Sequence, residues 1–174
     1  METPKTSVYA IYNGEMEYNY ENQVYMDVLT DVLDIVYTQK IREDEGGTYG
    51  VGVVGSVNKQ PKGNFMMLIY FDTNKDIYEK LLGIAYAELQ NIADNGPRQE
   101  DLQKVLENKL KKRAEMLEEN SFWSSAIGTY VEDDINILDN YDGLIKSIDT
   151  QKIADFAKKV LNGYKKEVVQ MPLD

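Results

Sequence analysis

The hydrophobic period of the chain changes from four to two across Gly46-Gly47, so a helix must give way to a strand there. Upstream, Val24, Val28, Val32 and Val36 recur every four residues, flanked by Leu29, Leu33 and Ile41. That spacing makes one face of a helix over residues 21–42. Downstream, Tyr49, Val51 and Val53 alternate with Gly50 and Gly52, which is the period of a strand over residues 48–58. A double glycine between the two is a helix stop, because glycine accepts the left-handed backbone that ends many helices. Arg42 then stands at the negative pole of the helix and Tyr49 at the start of the strand. Valines are indifferent helix formers, so packing against a sheet has to hold this helix.

The flanking chain supplies the sheet. Residues 7–12 alternate as a strand that Asn13-Gly14 is expected to break. Residues 64–72 put Phe65, Met67, Ile69 and Phe71 on one face and Met66, Leu68 and Tyr70 on the other. A strand apolar on both faces is a central strand covered on both sides. Helices on one face only would leave the other greasy, which is a first hint of a covering partner domain. Asp72-Thr73-Asn74 closes the hairpin and is positioned to cap a helix over 76–95, which Gly96-Pro97 ends. Further helices are expected over 99–120 and 121–131, the latter with Phe122, Trp123, Ile127 and Tyr130 as its apolar side. Two more are expected over 141–147 and, capped by Asp149, to Leu161. A strand over 167–171 closes the chain. The order predicts one α+β domain over residues 1–174, with an antiparallel or mixed sheet and helices packed on one face.

Composition narrows the chemistry. A net charge of −11 over 174 residues weighs against nucleic acid, which is bound by neutralising phosphates with Lys and Arg. No apolar run is long enough to span a bilayer. No signal peptide is visible, and Met1 before Glu2-Thr3-Pro4 reads as a start codon added to an excised domain. Zero cysteines exclude disulfides and thiolate chemistry. Zero histidines deny the chain imidazole as a zinc ligand or general base, so any zinc-dependent activity takes its metal from elsewhere. The acidic clusters at 43–45, 118–119 and 133–134 read as solvated surface, with a weaker reading of 43–45 as facing basic substrates. The run 139–143 fails the calcium-loop pattern because Tyr141 sits where an oxygen ligand is needed. The glycines at 46, 47, 50 and 52 close a helix and open a strand, the reverse of a phosphate-cradling loop. They provide conformational freedom and room for a substrate backbone.

An arginine followed seven residues later by a tyrosine, in a glycine-containing loop that leads into a strand, resembles the C-terminal domain of pitrilysin/insulinase-family zinc metallopeptidases. Arg42 and Tyr49 match in residue type and spacing. The order of elements extends the resemblance over nearly the whole chain. Arg98 departs from it, since members usually carry Ser or Thr there as a helix cap.

The resemblance implies a pitrilysin/processing-peptidase-like metallohydrolase fold with an inter-domain chamber on the open sheet face. It implies that zinc is bound by an N-terminal domain through an inverted H-x-x-E-H motif, and that none is bound by this chain. It gives Tyr49 and Arg42 accessory catalytic roles as donors to the scissile carbonyl region or the substrate backbone, with Gly46 and Gly47 lining the substrate path. The fragment alone is expected to be inert. Its partners are the N-terminal zinc-binding domain of the same polypeptide, or a partner subunit, and a peptide substrate. Its compartment is extracytoplasmic if a signal peptide precedes it and cytoplasmic otherwise. Residue types alone also fit an arginine in a surface ion pair and a tyrosine filling half a strand pocket. Two other readings stand beside the peptidase. One is a scaffold or partner subunit of the same fold, as in processing-peptidase partners and respiratory-complex core subunits. The other is a small stand-alone binding domain, which predicts no exposed apolar sheet face.

Overall fold

The computed structural model describes residues 5–172. Its strands are β1 (Thr6–Glu15), β2 (Val51–Asn58), β3 (Asn64–Thr73) and β4 (Tyr164–Gln170). They form one sheet in the order β2-β3-β1-β4, with every pairing antiparallel. The helices are α1 (Tyr20–Tyr37), α2 (Tyr78–Asn95), α3 (Gln99–Met116), α4 (Asn120–Asp133), α5 (Tyr141–Ser147) and α6 (Thr150–Leu161). The α+β expectation with helices on one face therefore stands, and the sheet is antiparallel rather than mixed.

Alternation decides which side chains meet the helices. Val8, Ala10, Phe65, Met67 and Ile69 are buried on the inner face, against Leu29 and Leu33 of α1, Leu81 and Leu89 of α2, and Phe156 of α6. Each of these side chains larger than Ala10 is worth about 1.5–3 kcal/mol of transfer energy, which is what holds the valine-rich α1. Asn19 caps α1, its Oδ1 accepting from the Asn22 amide at 2.8 Å. Asp149 caps α6 in the same way from Lys152 at 2.8 Å, as its sequence position predicts.

Several boundaries differ from the sequence reading, each for a physical reason. β1 runs through Asn13-Gly14 to Glu15. Gly14 is a close-approach position, because a side chain there would meet the Phe65 ring and the Gly163 backbone. α2 starts at Tyr78, and Asp72 is no cap, because its carboxylate is held by Ser7 and Lys5. α3 ends at Met116, and α4 turns a different face inward: Phe122 and Ala126 are buried, whereas Trp123, Tyr130 and Ile127 (62%) are exposed. Arg113 decides this orientation. Its guanidinium carbon lies 4.5 Å from the Phe122 ring centre and 4.7 Å from that of Tyr141, and its Nη2 donates to the Ile137 carbonyl at 2.6 Å. Phe122 takes the inner seat and Trp123 turns out, its Nε1 donating to the Leu117 carbonyl at 2.9 Å.

β4 begins three residues early, at Tyr164, because its charged residues are paired on the inner face. Glu167 accepts from the Tyr86 hydroxyl at 2.8 Å and from Lys165 at 3.1 Å. The Tyr86 bond, with Lys165, holds the Glu167 carboxyl below its usual range. The run 139–143 is a turn leading into α5, with the N-cap Asn140 in the left-handed region at φ 49°.

Candidate functional site

The predicted end of α1 is a change of helix type. Residues Thr38–Glu43 form a π-helix, and Arg42 lies in it. Leu29, Leu33, Tyr37 and Ile41 are all fully buried and four residues apart. At 3.6 residues per turn each four-residue step overshoots by about 40°, so a continued α-helix would carry Ile41 off the core face. The wider π turn winds less per residue and brings Ile41 back, with Arg42 left in solvent. No residue pattern announced this. Gly46 follows at φ 63°, its amide donating to the Arg42 carbonyl at 3.1 Å, and so ends the helix as its glycine predicts. Gly47 sits against the ends of the Ile77 and Leu81 side chains, which would have to move to admit a side chain there.

Two threonines that the sequence reading passed over fix the loop. The Thr73 hydroxyl donates to the Gly47 carbonyl at 2.6 Å and ties the loop to the end of β3. The Thr48 hydroxyl donates to the Gly50 carbonyl at 2.8 Å and accepts from the Gly50 amide at 3.2 Å. This pinch throws the intervening residue outward, and a Thr-x-Gly run is the local signal for it. Tyr49 is that residue, and it is 98% exposed. It therefore does not follow Val51 and Val53 inward, and β2 starts at Val51 rather than at residue 48. The acidic residues nearby are paired within the chain: Asp44 with Lys40 at 3.5 Å, and Glu45 with Lys80. Among the described residues no carboxylate lies within ion-pair distance of Arg42.

Behind Tyr49 the outer face of the sheet is open. Successive cross-strand rows read Gly52, Tyr70, Tyr9, Val168 and then Val54, Leu68, Ile11, Lys166. Val54, Met66, Tyr70 and Val168 are exposed there. This is the second apolar face of β3, bare among the described residues, and it counts against the reading of a self-sufficient small binding domain. At one corner is a pocket of about 280 Å³ lined by Tyr49, Gly50, Tyr9, Tyr70, Lys5 and Asp72. The ring of Tyr70 lies across Gly52, where any side chain would collide with it. Ser7 Oγ donates to Asp72 at 2.6 Å and Lys5 Nζ reaches it at 3.3 Å. The Ser7 hydrogen bond, with Lys5 adding to it, holds the Asp72 carboxyl below its usual range. Tyr49 belongs to this pocket; Arg42 does not line it.

The arrangement offers hydrogen-bond donors and apolar surface, without an imidazole. With no His or Cys in the chain, and no cluster of metal-ligating side chains among the described residues, the donor set does not fit a zinc ion. No helix among the described residues is long and apolar enough to cross a membrane.

Known structures share this fold. The periplasmic protease PqqL of Escherichia coli superposes with a TM-score of 0.84 at 17% identity, over 99% of this chain and 20% of its own. A protease from Helicobacter pylori gives 0.81 at 17%, over 97% of this chain and 41% of its own. The peptidase M16 inactive domain from Pseudomonas fluorescens gives 0.75 at 18%, over 100% of this chain and 43% of its own. The chain thus spans about a fifth to two-fifths of these proteins. No curated protein sequence matches it. A family model described as the peptidase M16 inactive domain matches residues 1–109. The chain belongs to the M16 zinc-peptidase family, as a domain of the inactive type.

Proposed function

We propose that this chain is the C-terminal, substrate-contacting domain of a zinc metalloendopeptidase, and that it acts on peptides only within a larger polypeptide. In this reading the Tyr49 hydroxyl donates to the peptide carbonyl on which negative charge develops. Arg42 donates to the substrate backbone, and the Gly46-Gly47 turn leaves room for that backbone. The observation that carries the reading is Tyr49 itself: a phenol 98% exposed, yet held by a pinned loop. The loop fixes where the phenol is attached before a substrate arrives, the exposed side chain turns onto the carbonyl, and one such donor is worth about 2.7–4 kcal/mol. Zinc, which the family implies, is held by a different domain. The H. pylori and P. fluorescens proteins each have more than half their length beyond the part matched here, which is room for such a domain. PqqL is a periplasmic protease, which supports an extracytoplasmic parent where a signal peptide precedes the chain.

The test is Tyr49→Phe and Arg42→Ala in the full polypeptide. Each is expected to lower kcat/KM by about 10²–10³-fold without lowering the unfolding midpoint. Unchanged kcat/KM in both overturns the assignment. The open sheet face also favours a second reading, a scaffold or partner subunit of the same fold. A preceding reading frame with H-x-x-E-H and a later glutamate supports the peptidase; a degenerate motif supports the scaffold.

A further inference from the structure

We propose that the pocket beside Tyr49 is a side-chain subsite that takes an aromatic residue of an extended peptide. The inference rests on the reading that a peptide runs past Tyr49, and adds to it the class of side chain selected.

Three phenol-bearing residues converge there. Tyr9 and Tyr70 are directly paired across β1 and β3 on the outer face, and Tyr49 stands in front of them. Gly52 lacks the side chain that would displace the Tyr70 ring, so that ring lies across β2 beside the Tyr49 loop. At Gly50 nothing lies within 4 Å of the place a side chain would occupy, which leaves the mouth open. A cavity of about 150 Å³ admits a benzene ring, so about 280 Å³ has room for a phenyl, phenol or indole group. Tyrosine walls offer ring faces and edges to an aromatic guest, and hydroxyls to a phenol or indole N–H.

Charge points the same way. The ionic groups lining the pocket are Lys5 and Asp72, and they neutralise each other at 3.3 Å, with Ser7 completing the carboxylate. A charged side chain entering would lose water and meet a dipole already satisfied. An aromatic side chain loses little hydration and covers rings that are otherwise wet. Tyr49 is among the lining residues, so a group seated here lies beside its loop. A peptide whose carbonyl meets the Tyr49 hydroxyl therefore has a neighbouring side chain within reach of the pocket.

The experiment uses the full polypeptide, treated with chelator so that binding is read without turnover. The probes are fluorescein-labelled alanine-based peptides with a central Phe, Leu, Lys, Asp or Ala, followed by anisotropy. The Phe peptide is expected to bind about 10-fold more tightly than the Ala peptide, with Lys and Asp no better than Ala. Tyr70→Ala and Tyr9→Ala are expected to bring the Phe peptide to the Ala level and leave the Ala peptide unchanged. Gly50→Val, which fills the mouth without entering the packed face, is expected to do the same. Tyr49→Phe keeps the ring and is expected to preserve the preference. If Tyr49→Phe also leaves turnover of the zinc-loaded protein unchanged, the donor role fails and the subsite stands. Equal binding of the Phe and Ala peptides, an equal loss of both in Tyr70→Ala, or no binding of any peptide overturns the subsite. The last is the result expected if another domain fills the pocket.

Discussion

Asp34 closes the free edge of the sheet just beyond the Tyr49 loop, and its replacement tests how that edge is held. β2 borders β3 on one side and no strand on the other, so alternate amides of β2 lack a ladder partner. The Val53 amide is one of them. It donates to Asp34 Oδ1 of α1 at 2.9 Å, and Val53 is 5% exposed. Asp34→Ala strands that buried N–H, at a cost of about 1–3 kcal/mol. Because an edge amide is partly reachable by water once the carboxylate is gone, the expected loss is about 1–2 kcal/mol. Asp34→Asn keeps an acceptor oxygen in place and removes a charge that the fold disfavours. Burial is the largest influence raising the Asp34 pKa; the Val53 hydrogen bond opposes it and Asp31 adds to it.

A carboxyl whose folded pKa is raised binds its proton more tightly in the native state. Wild type is therefore expected to gain stability relative to Asp34→Asn as pH falls from neutral through the folded pKa toward the ordinary value of about 3.9. Urea unfolding of the three proteins across that range measures both effects. At neutral pH the order expected is Asn equal to wild type within about 0.5 kcal/mol, and Ala below both. Ala as stable as Asn would show that the Val53 amide needs no partner. Wild type losing ground to Asn on acidification would refute the assignment of burial as the dominant influence.

Two more expectations follow, one for the cluster beside the N-terminal end of α1 and one for the Tyr49 loop. Arg113→Met removes two ring contacts and a charge-assisted hydrogen bond to Ile137, so a loss of about 2–4 kcal/mol is expected in urea titrations. Trp123 packs 5.8 Å from Phe122 and reports the same transition by fluorescence. Arg113→Lys recovers only part of the loss, because an ammonium lacks the flat face that stacks between Phe122 and Tyr141; both variants within about 0.5 kcal/mol of wild type would dismiss the sandwich as an anchor. Thr48→Val keeps the shape of the side chain and deletes both of its bonds to Gly50. Hydrogen exchange at the Gly50 amide is expected to speed up with global stability unchanged within about 1 kcal/mol, and unaltered exchange would mean the pinch does not fix Tyr49.

What could be read from the sequence follows the strength of periodicity. The helix through Val24 and Val36, the two-faced strand of Phe65 to Phe71, and the Asp149 cap were legible because many residues repeat one signal. α4 was misread because its inward face is set by one distant arginine, and Ile127 is as apolar as Phe122 to any local rule. β4 was cut short because Lys165 and Glu167 look solvated until Tyr86 is seen across from them. At the site, Arg42 and Tyr49 are singled out by their resemblance to the family's arginine–tyrosine spacing, and of the two only Tyr49 lines the pocket. The π turn and the walls at Tyr9 and Tyr70 are not legible in the sequence, because they depend on backbone winding that no residue type encodes or on partners far along the chain, whereas the Thr48 pinch is local and its Thr-x-Gly run is a signal the sequence does carry.

The open sheet face ties these observations together. Strand β3 carries Met66, Leu68 and Tyr70 outward, where a free-standing sheet would carry polar residues. Exposed apolar surface on a central strand is costly unless something covers it. A second copy of this chain is a poor cover, since two bodies of net charge −11 repel and that repulsion deepens at low ionic strength. Edge-to-edge pairing through β2 is opposed as well, because Asp34 already occupies the Val53 amide that an added strand would need. The rim of the face holds Tyr49 and a neutral, tyrosine-walled pocket rather than the charged border of a simple packing interface. An apolar floor with a polar donor at its edge suits a surface that is covered by another domain and still leaves a margin for a peptide. It is at that margin that substitutions of Tyr49 and Tyr70 are expected to separate chemistry from selection.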